Sequence, residues 1–179
     1  MLCLVEKEEL ANIDMAVILH PTIRTTEKPN YTFILHLDGK EIYVGNKESR
    51  EAENFDCILE ICNEGCSYDA LSYSVGKILQ LKFNDLRTHD ILAAKCHVSE
   101  FVKNCSGKLL IHCGEGVSRS PSTLIMYLIE NHNYNYNDAF NLISSKRYIK
   151  PNVGFARQLK QFSDKKTNAQ NAQNAQAAE

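Results

Sequence analysis

Cys113 and Arg119 stand six positions apart in the run His112-Cys113-Gly114-Glu115-Gly116-Val117-Ser118-Arg119-Ser120, and both residue types suit chemistry on an anion. A cysteine offers a thiolate nucleophile, whose pKa falls to roughly 3.5–7.5 near a helix N-terminus or a cation. An arginine offers a planar fork that grips phosphate oxygens bidentately. The apolar run Leu109–Ile111 precedes them and reads as a buried strand. Pro121 to Ile129 follows and reads as a helix, with proline in the first turn, where its missing N–H costs nothing. Strand, tight loop and helix N-terminus form an anion site, because successive N–H groups and the helix dipole favour negative charge. The pattern predicts a phosphate cradle with Cys113 at its floor. Arg119 closes it, and Gly114, Glu115, Gly116, Val117 and Ser118 line it with backbone N–H.

A lone buried cysteine and a surface arginine would be the plainer reading, but the coincidence of His-Cys, five residues, Arg and Ser between a strand and a helix argues against it. No Gly-Lys-Ser/Thr follows the glycines, so the loop is not a nucleotide P-loop. A rhodanese-type sulfur carrier also uses cysteine and arginine, but it gives His112 and Ser120 no task.

His112-Cys113-x-x-Gly116-x-Ser118-Arg119-Ser120 resembles the signature of the cysteine-dependent protein tyrosine phosphatases, in particular the small dual-specificity branch. The resemblance extends beyond the loop. Ile42-Tyr43-Val44-Gly45-Asn46 resembles the opening strand of that branch, Asn84-Asp85 its general-acid loop, and Pro151-Asn152-x-Gly154-Phe155-x-x-Gln158-Leu159 its closing segment. The match runs from about residue 41 to 162, in the family's order.

The chemistry can then be assigned by residue. Cys113 attacks phosphorus in line and forms a phosphocysteine, splitting one hard hydrolysis into two easier steps. Arg119 and the loop amides stabilise charge on the equatorial oxygens. Asp85, between a strand and a helix, is the candidate acid for the leaving oxygen and the later base for water. Asp90 is the other carboxylate in reach, but it falls in a first helical turn, where the dipole alone explains it. The resemblance implies that the Ser120 hydroxyl assists the departing thiolate; as a plain residue it is also a good helix cap. His112 reads as an organiser of the loop through buried hydrogen bonds. Asn152, by resemblance, braces the cradle, although capping its own helix explains it equally well. Arg147, with Lys146 and Lys150 nearby, suits a second phosphate on a doubly phosphorylated peptide, or simply the C-terminus of a helix over 137–147. No cofactor or metal is expected, since the cradle supplies the positive potential. Cys62-x-x-x-Cys66 has no complementary Cys/His pair to complete four ligands.

The expected substrate is a phosphorylated protein. The chain has no tryptophan, hence no Trp-Pro-Asp acid loop of the tyrosine-only enzymes, and shows no insertion that would deepen the pocket. A shallow pocket admits phosphoserine and phosphothreonine as well as phosphotyrosine. Glu115 inside the loop would repel a polyphosphorylated headgroup or an RNA 5′-triphosphate. The alternatives are a phosphatase of a non-protein ester, RNA 5′-phosphate or phospholipid, and a non-catalytic module that only binds phosphoproteins.

The surrounding elements must hold these groups in place. A chain of 179 residues, 44% hydrophobic, suits one core. A net charge of −2 gives no basic field for nucleic acid. No apolar run approaches the ~20 residues of a membrane span. Seven cysteines without a signal peptide point to reduced thiols in a cytoplasmic or nuclear compartment.

In chain order, the apolar spacing of Leu4, Leu10, Ile13, Val17 and Ile18 predicts an amphipathic helix. Residues 30–37 predict a strand that pairs across Asp38-Gly39 with residues 41–44. A short helix is expected over 51–55, strands over 56–61 and 78–83, and a helix from His89 to Val102. Asn135 or Asn137 caps the next helix, and Asn152 the last. Alternating strands and helices predict an α/β fold with a central, mostly parallel twisted sheet flanked by helices, like that of dual-specificity phosphatases. Residues 1–38 are read as an extension packing on the core, 39–163 as the catalytic domain, and the Asn-Ala-Gln repeats within 164–179 as a disordered tail.

Overall fold

Leu109, Leu110 and Ile111 are completely buried, because their strand is the central one of five. In a computed structural model, which describes residues 30–51, 55–64 and 77–176, the sheet has the order β1-β2-β5-β3-β4. The strands are β1 Tyr31–Leu37, β2 Lys40–Gly45, β3 Cys57–Cys62, β4 Lys77–Lys82 and β5 Gly107–His112. Three pairings are parallel, and only β1 with β2 is antiparallel. The hairpin turns on Asp38 and Gly39, both at positive φ (49° and 73°), as a tight two-residue connection requires.

Side chains alternate across β5. Leu109 and Ile111 join the main core, to which all four described helices contribute: α1 Lys95–Lys103, α2 Arg119–His132, α3 Tyr136–Ser144 and α4 Val153–Gln176. Leu110 faces the other way, with Ile58 and Phe55, beneath Tyr31 and Tyr43. There the Tyr43 and Phe55 rings meet edge to face at 5.4 Å. Burial on both faces explains why β3 and β5 read as continuous apolar runs. The expected α/β architecture is the one observed.

Several boundaries differ from the sequence reading. A 3-10 turn over Lys47–Glu51 precedes the short helix expected over 51–55, most of which lies outside the described residues; the turn is held by Lys47 N–H on the Gly114 carbonyl (3.0 Å) and Ser49 N–H on that of Asn46. Asp90 caps a 3-10 turn, Ile91–Ala94, by accepting from Leu92 N–H (2.9 Å), so α1 proper starts only at Lys95. Asn135 caps α3, which ends at Ser144, leaving Arg147 outside any helix.

The tail expected to be disordered is instead helical to Gln176. Phe155 and Leu159 dock its first turns. Lys166 Nζ then reaches the C-terminal carbonyls of α2 at Ile129 (3.2 Å) and Glu130 (2.5 Å), and Gln170 donates to Asn133 (2.6 Å). A helix already nucleated propagates easily through alanine and glutamine. The amphipathic helix expected near the N-terminus lies outside the described residues.

Candidate active site

The loop 113–118 leaves β5 at its C-terminal end, where ligand sites of α/β sheets form. Three of its carbonyls are pulled outward by anchors. Lys47 N–H bonds the Gly114 carbonyl at 3.0 Å, Arg147 Nε bonds that of Gly116 at 3.0 Å, and Lys150 N–H bonds that of Val117 at 2.8 Å. Cys113 N–H in turn donates to the Gly45 carbonyl at 3.4 Å. No peptide bond of the described chain is cis. In a trans peptide the next N–H points opposite to the carbonyl. The N–H groups of Glu115, Val117 and Ser118 are therefore turned to the inside, and the loop concavity is a nest of donors. Gly116 is needed here: its φ is +66°, and a Cβ would stand 2.6 Å from the Gly45 carbonyl oxygen.

Cys113 lies at the floor, 4% exposed, with Sγ 3.3 Å from the Ser120 Oγ. Ser120 is wholly buried and its hydroxyl also lies 3.4 Å from the Gly45 carbonyl, so it works inward and caps nothing. Arg119 opens α2. Its Nη1 donates to Asn63 Oδ1 (2.6 Å) and to the Phe83 carbonyl (3.3 Å), which turns the guanidinium back across Gly114. Its Nε is buried and has no hydrogen-bond partner among the described residues, a donor that a phosphate oxygen would satisfy.

Asp85 follows β4 and is exposed at the mouth. Ser118 Oγ donates to its Oδ1 at 2.9 Å, and Asn152 Nδ2 donates to the same oxygen. Ser118 Oγ also accepts from Asn152 N–H (3.0 Å), so loop, acid segment and closing segment are tied at one point. Among the described residues Oδ2 of Asp85 accepts no hydrogen bond, leaving it for a proton. Asn152 performs both tasks foreseen for it, since its Oδ1 caps α4 through Phe155 N–H at 2.9 Å. Asp90 is occupied as a cap.

One role read from the sequence needs correction. Arg147 is buried behind the loop, with Nε on the Gly116 carbonyl and Nη1 on Thr32 Oγ1 (3.1 Å). Burial lowers its pKa while the neighbouring Cys113 opposes this. It braces the cradle from beneath, where it cannot reach a second phosphate on a substrate. His112 makes no hydrogen bond of full geometry through either ring nitrogen among the described residues. Its Nε2 stands 4.0 Å from Glu60 Oε1, and burial, helped by Arg50, pushes its pKa down to about 4. A looser hydrogen bond with the Cys113 backbone works against that shift, so the ring is neutral at neutral pH and contacts the first residue of the loop, as an organiser of it would. Asn63, Gly45 and Thr32 were not foreseen as supports. The position of Asn63, just past the end of β3 in a parallel sheet, was the available signal for it. Among the described residues no three His, Cys, Asp or Glu side chains converge as a metal site.

Residues 40–165 match the family model of the dual specificity phosphatase catalytic domain. The chain belongs to this family. It is 37% identical over 95 residues to the dual specificity protein phosphatase MPK-4 of Drosophila melanogaster, covering 51% of this chain and 24% of that protein. It is 31% identical over 161 residues to human protein phosphatase Slingshot homolog 1, covering 88% of this chain and 15% of that protein. The chain thus spans a quarter or less of the length of these two relatives. Human DUSP28 shares the fold, with a TM-score of 0.64 at 18% identity over 79% of this chain and 97% of that one. So does PTPMT1 in complex with PI(5)P, with a TM-score of 0.61 at 21% identity over 79% and 99%. The dual-specificity phosphatase fold and the family signature coincide on the loop built around Cys113 and Arg119.

Proposed function

We propose that this protein hydrolyses phosphotyrosine and phosphoserine or phosphothreonine in phosphorylated proteins through a phosphocysteine, in a reducing cytoplasmic or nuclear compartment. The observation that carries the reading is the outward anchoring of the Gly114, Gly116 and Val117 carbonyls above a buried Cys113. That arrangement aims backbone donors at an oxyanion before any substrate arrives, so little reorganisation is needed during reaction. In the first step the Cys113 Sγ–P bond forms as the ester P–O bond breaks, and Asp85 gives its proton to the departing oxygen. In the second, water attacks phosphorus, Asp85 takes its proton, and the S–P bond breaks to release inorganic phosphate. The Ser120 hydroxyl, 3.3 Å from sulfur, donates to the emerging thiolate.

The test is hydrolysis of p-nitrophenyl phosphate in EDTA and a thiol reductant. Turnover should persist in EDTA, vanish in Cys113→Ser and fall in Asp85→Asn. A panel of phosphotyrosine and phosphothreonine peptides, an RNA 5′-phosphate and phosphoinositides then assigns the substrate. Wild-type protein that binds phosphopeptides without turnover would make it a phosphate-binding module instead.

A further inference from the structure

Three large hydrophobic side chains stand well exposed among the described residues, Leu86 at 55%, Tyr148 at 70% and Val153 at 60%, and each is next in sequence to a residue of the site: Asp85, Arg147 and Asn152. Scattered apolar residues are ordinary on a surface, but a cluster at one place marks a contact. Asp85 is bonded to Asn152, and the Arg87 carbonyl touches Gly154 so closely that a Cβ there would collide with it. Leu86 and Val153 lie between these two contacts, so they must be neighbours. A tight turn keeps Leu86 outward, its N–H on the Asn84 carbonyl (2.9 Å) and its carbonyl on His89 N–H (3.2 Å). Tyr148 is held in the same way. Arg147 before it grips Gly116, Ile149 after it is buried, and Lys150 bonds the Val117 carbonyl. The rim is thus fixed to the very loop residues that bind phosphate.

Across the mouth the surface is polar, with Lys47 paired to Glu48 (3.9 Å) and Glu115 exposed. We infer that Leu86, Tyr148 and Val153 form a specificity rim that selects phosphopeptides carrying a large apolar side chain next to the phosphorylated residue. This rests on the phosphoprotein reading above and adds which peptides are taken. Position favours a phosphopeptide here, because the rim residues flank a loop whose inward N–H groups and buried Arg119 Nε suit a single phosphate.

The experiment measures binding of fluorescent phosphotyrosine peptides to the Cys113→Ser protein, which does not depend on turnover. The peptides differ only in carrying leucine or serine on both sides of the phosphotyrosine. The leucine peptide should bind about tenfold more tightly, the scale of one or two apolar contacts made or lost. In Leu86→Ser/Tyr148→Ser/Val153→Ser on the same background the two peptides should bind alike. Equal binding before the rim is changed, or a preference that survives the change, overturns the inference. So does sedimentation of the Cys113→Ser protein with phosphatidylcholine/phosphatidylserine vesicles that the triple change abolishes. A preference found alongside an inactive wild type would leave the rim standing and remove the catalytic reading.

Discussion

Arg147 and Gly116 meet through the back of the phosphate loop: Nε donates to the glycine carbonyl at 3.0 Å, while a Cβ on Gly116 would stand 2.5 Å from Nη2. Each residue requires the other's shape. Arg147→Ala would strand a buried carbonyl and release Thr32, at a cost of about 2–4 kcal/mol by analogy with other buried charge-assisted contacts. Urea unfolding should read that loss, and vanadate affinity should fall at least tenfold. Singly and doubly phosphorylated peptides should lose kcat/KM equally, whereas a residue reading a second phosphate would penalise only the doubly phosphorylated one. Arg147→Lys keeps the charge but not the fork, and should recover only part of the affinity.

Asp85 is held by Asn152, so the two residues should separate kinetically. Asp85→Asn removes the proton and should lower kcat on a phosphotyrosine peptide by about 10²–10⁴-fold, the usual worth of general acid catalysis. The loss should be smaller with p-nitrophenyl phosphate, whose leaving group needs a proton less. Asn152→Ala leaves the carboxyl in place but removes one of its two tethers. It should cost about tenfold in kcat, the worth of one hydrogen bond, and keep the alkaline limb of the pH–rate profile, the one a general acid sets. Loss of that limb in Asn152→Ala would mean Asn152 does more than position.

The parts legible in the sequence are those whose partners lie close along the chain. The strand, loop and helix around Cys113 form one contiguous signature, and period-two and period-3.6 patterns placed the strands and helices around it. The illegible parts depend on distant partners. Arg147 is fixed by Gly116 and Thr32, 31 and 115 positions away, and Arg119 is aimed by Asn63, 56 positions away. Nothing local in Lys146-Arg147-Tyr148 says that the arginine points inward. The Asn-Ala-Gln repeats misled for a related reason: polar composition suggested disorder, while the anchored first turns of α4 and the contacts of Lys166 and Gln170 along α2 carry the helix onward.

Ser120 offers a test of the second chemical step alone. Its hydroxyl is wholly buried and 3.3 Å from Cys113 Sγ, so no other described donor of that kind stands at the sulfur. A hydrogen bond to a charged group is worth about 1.5–3 kcal/mol, and its loss should slow phosphocysteine breakdown roughly 10–100-fold. In Ser120→Ala, rapid-mixing experiments with p-nitrophenyl phosphate should show a burst of nitrophenol near one equivalent, followed by slow turnover. Equal slowing of both phases without a burst would instead indicate a distorted loop.

His112 should make folding stability depend on acid. Its pKa drops from the ordinary 6.5 to about 4 in the folded chain, chiefly through burial and secondarily through Arg50. Between these values the unfolded chain binds a proton that the folded chain does not. The stability is therefore fully present above pH 6.5 and is lost as pH falls towards 4. The gap from 6.5 to about 4 amounts to about 3 kcal/mol. Denaturant unfolding at pH 7 and pH 4.5 should show most of that loss in the wild type. His112→Gln, which cannot take up the proton, should lose correspondingly less over the same interval, even if it starts less stable. Parallel losses in the two proteins would assign the acid sensitivity to the carboxylates rather than to His112.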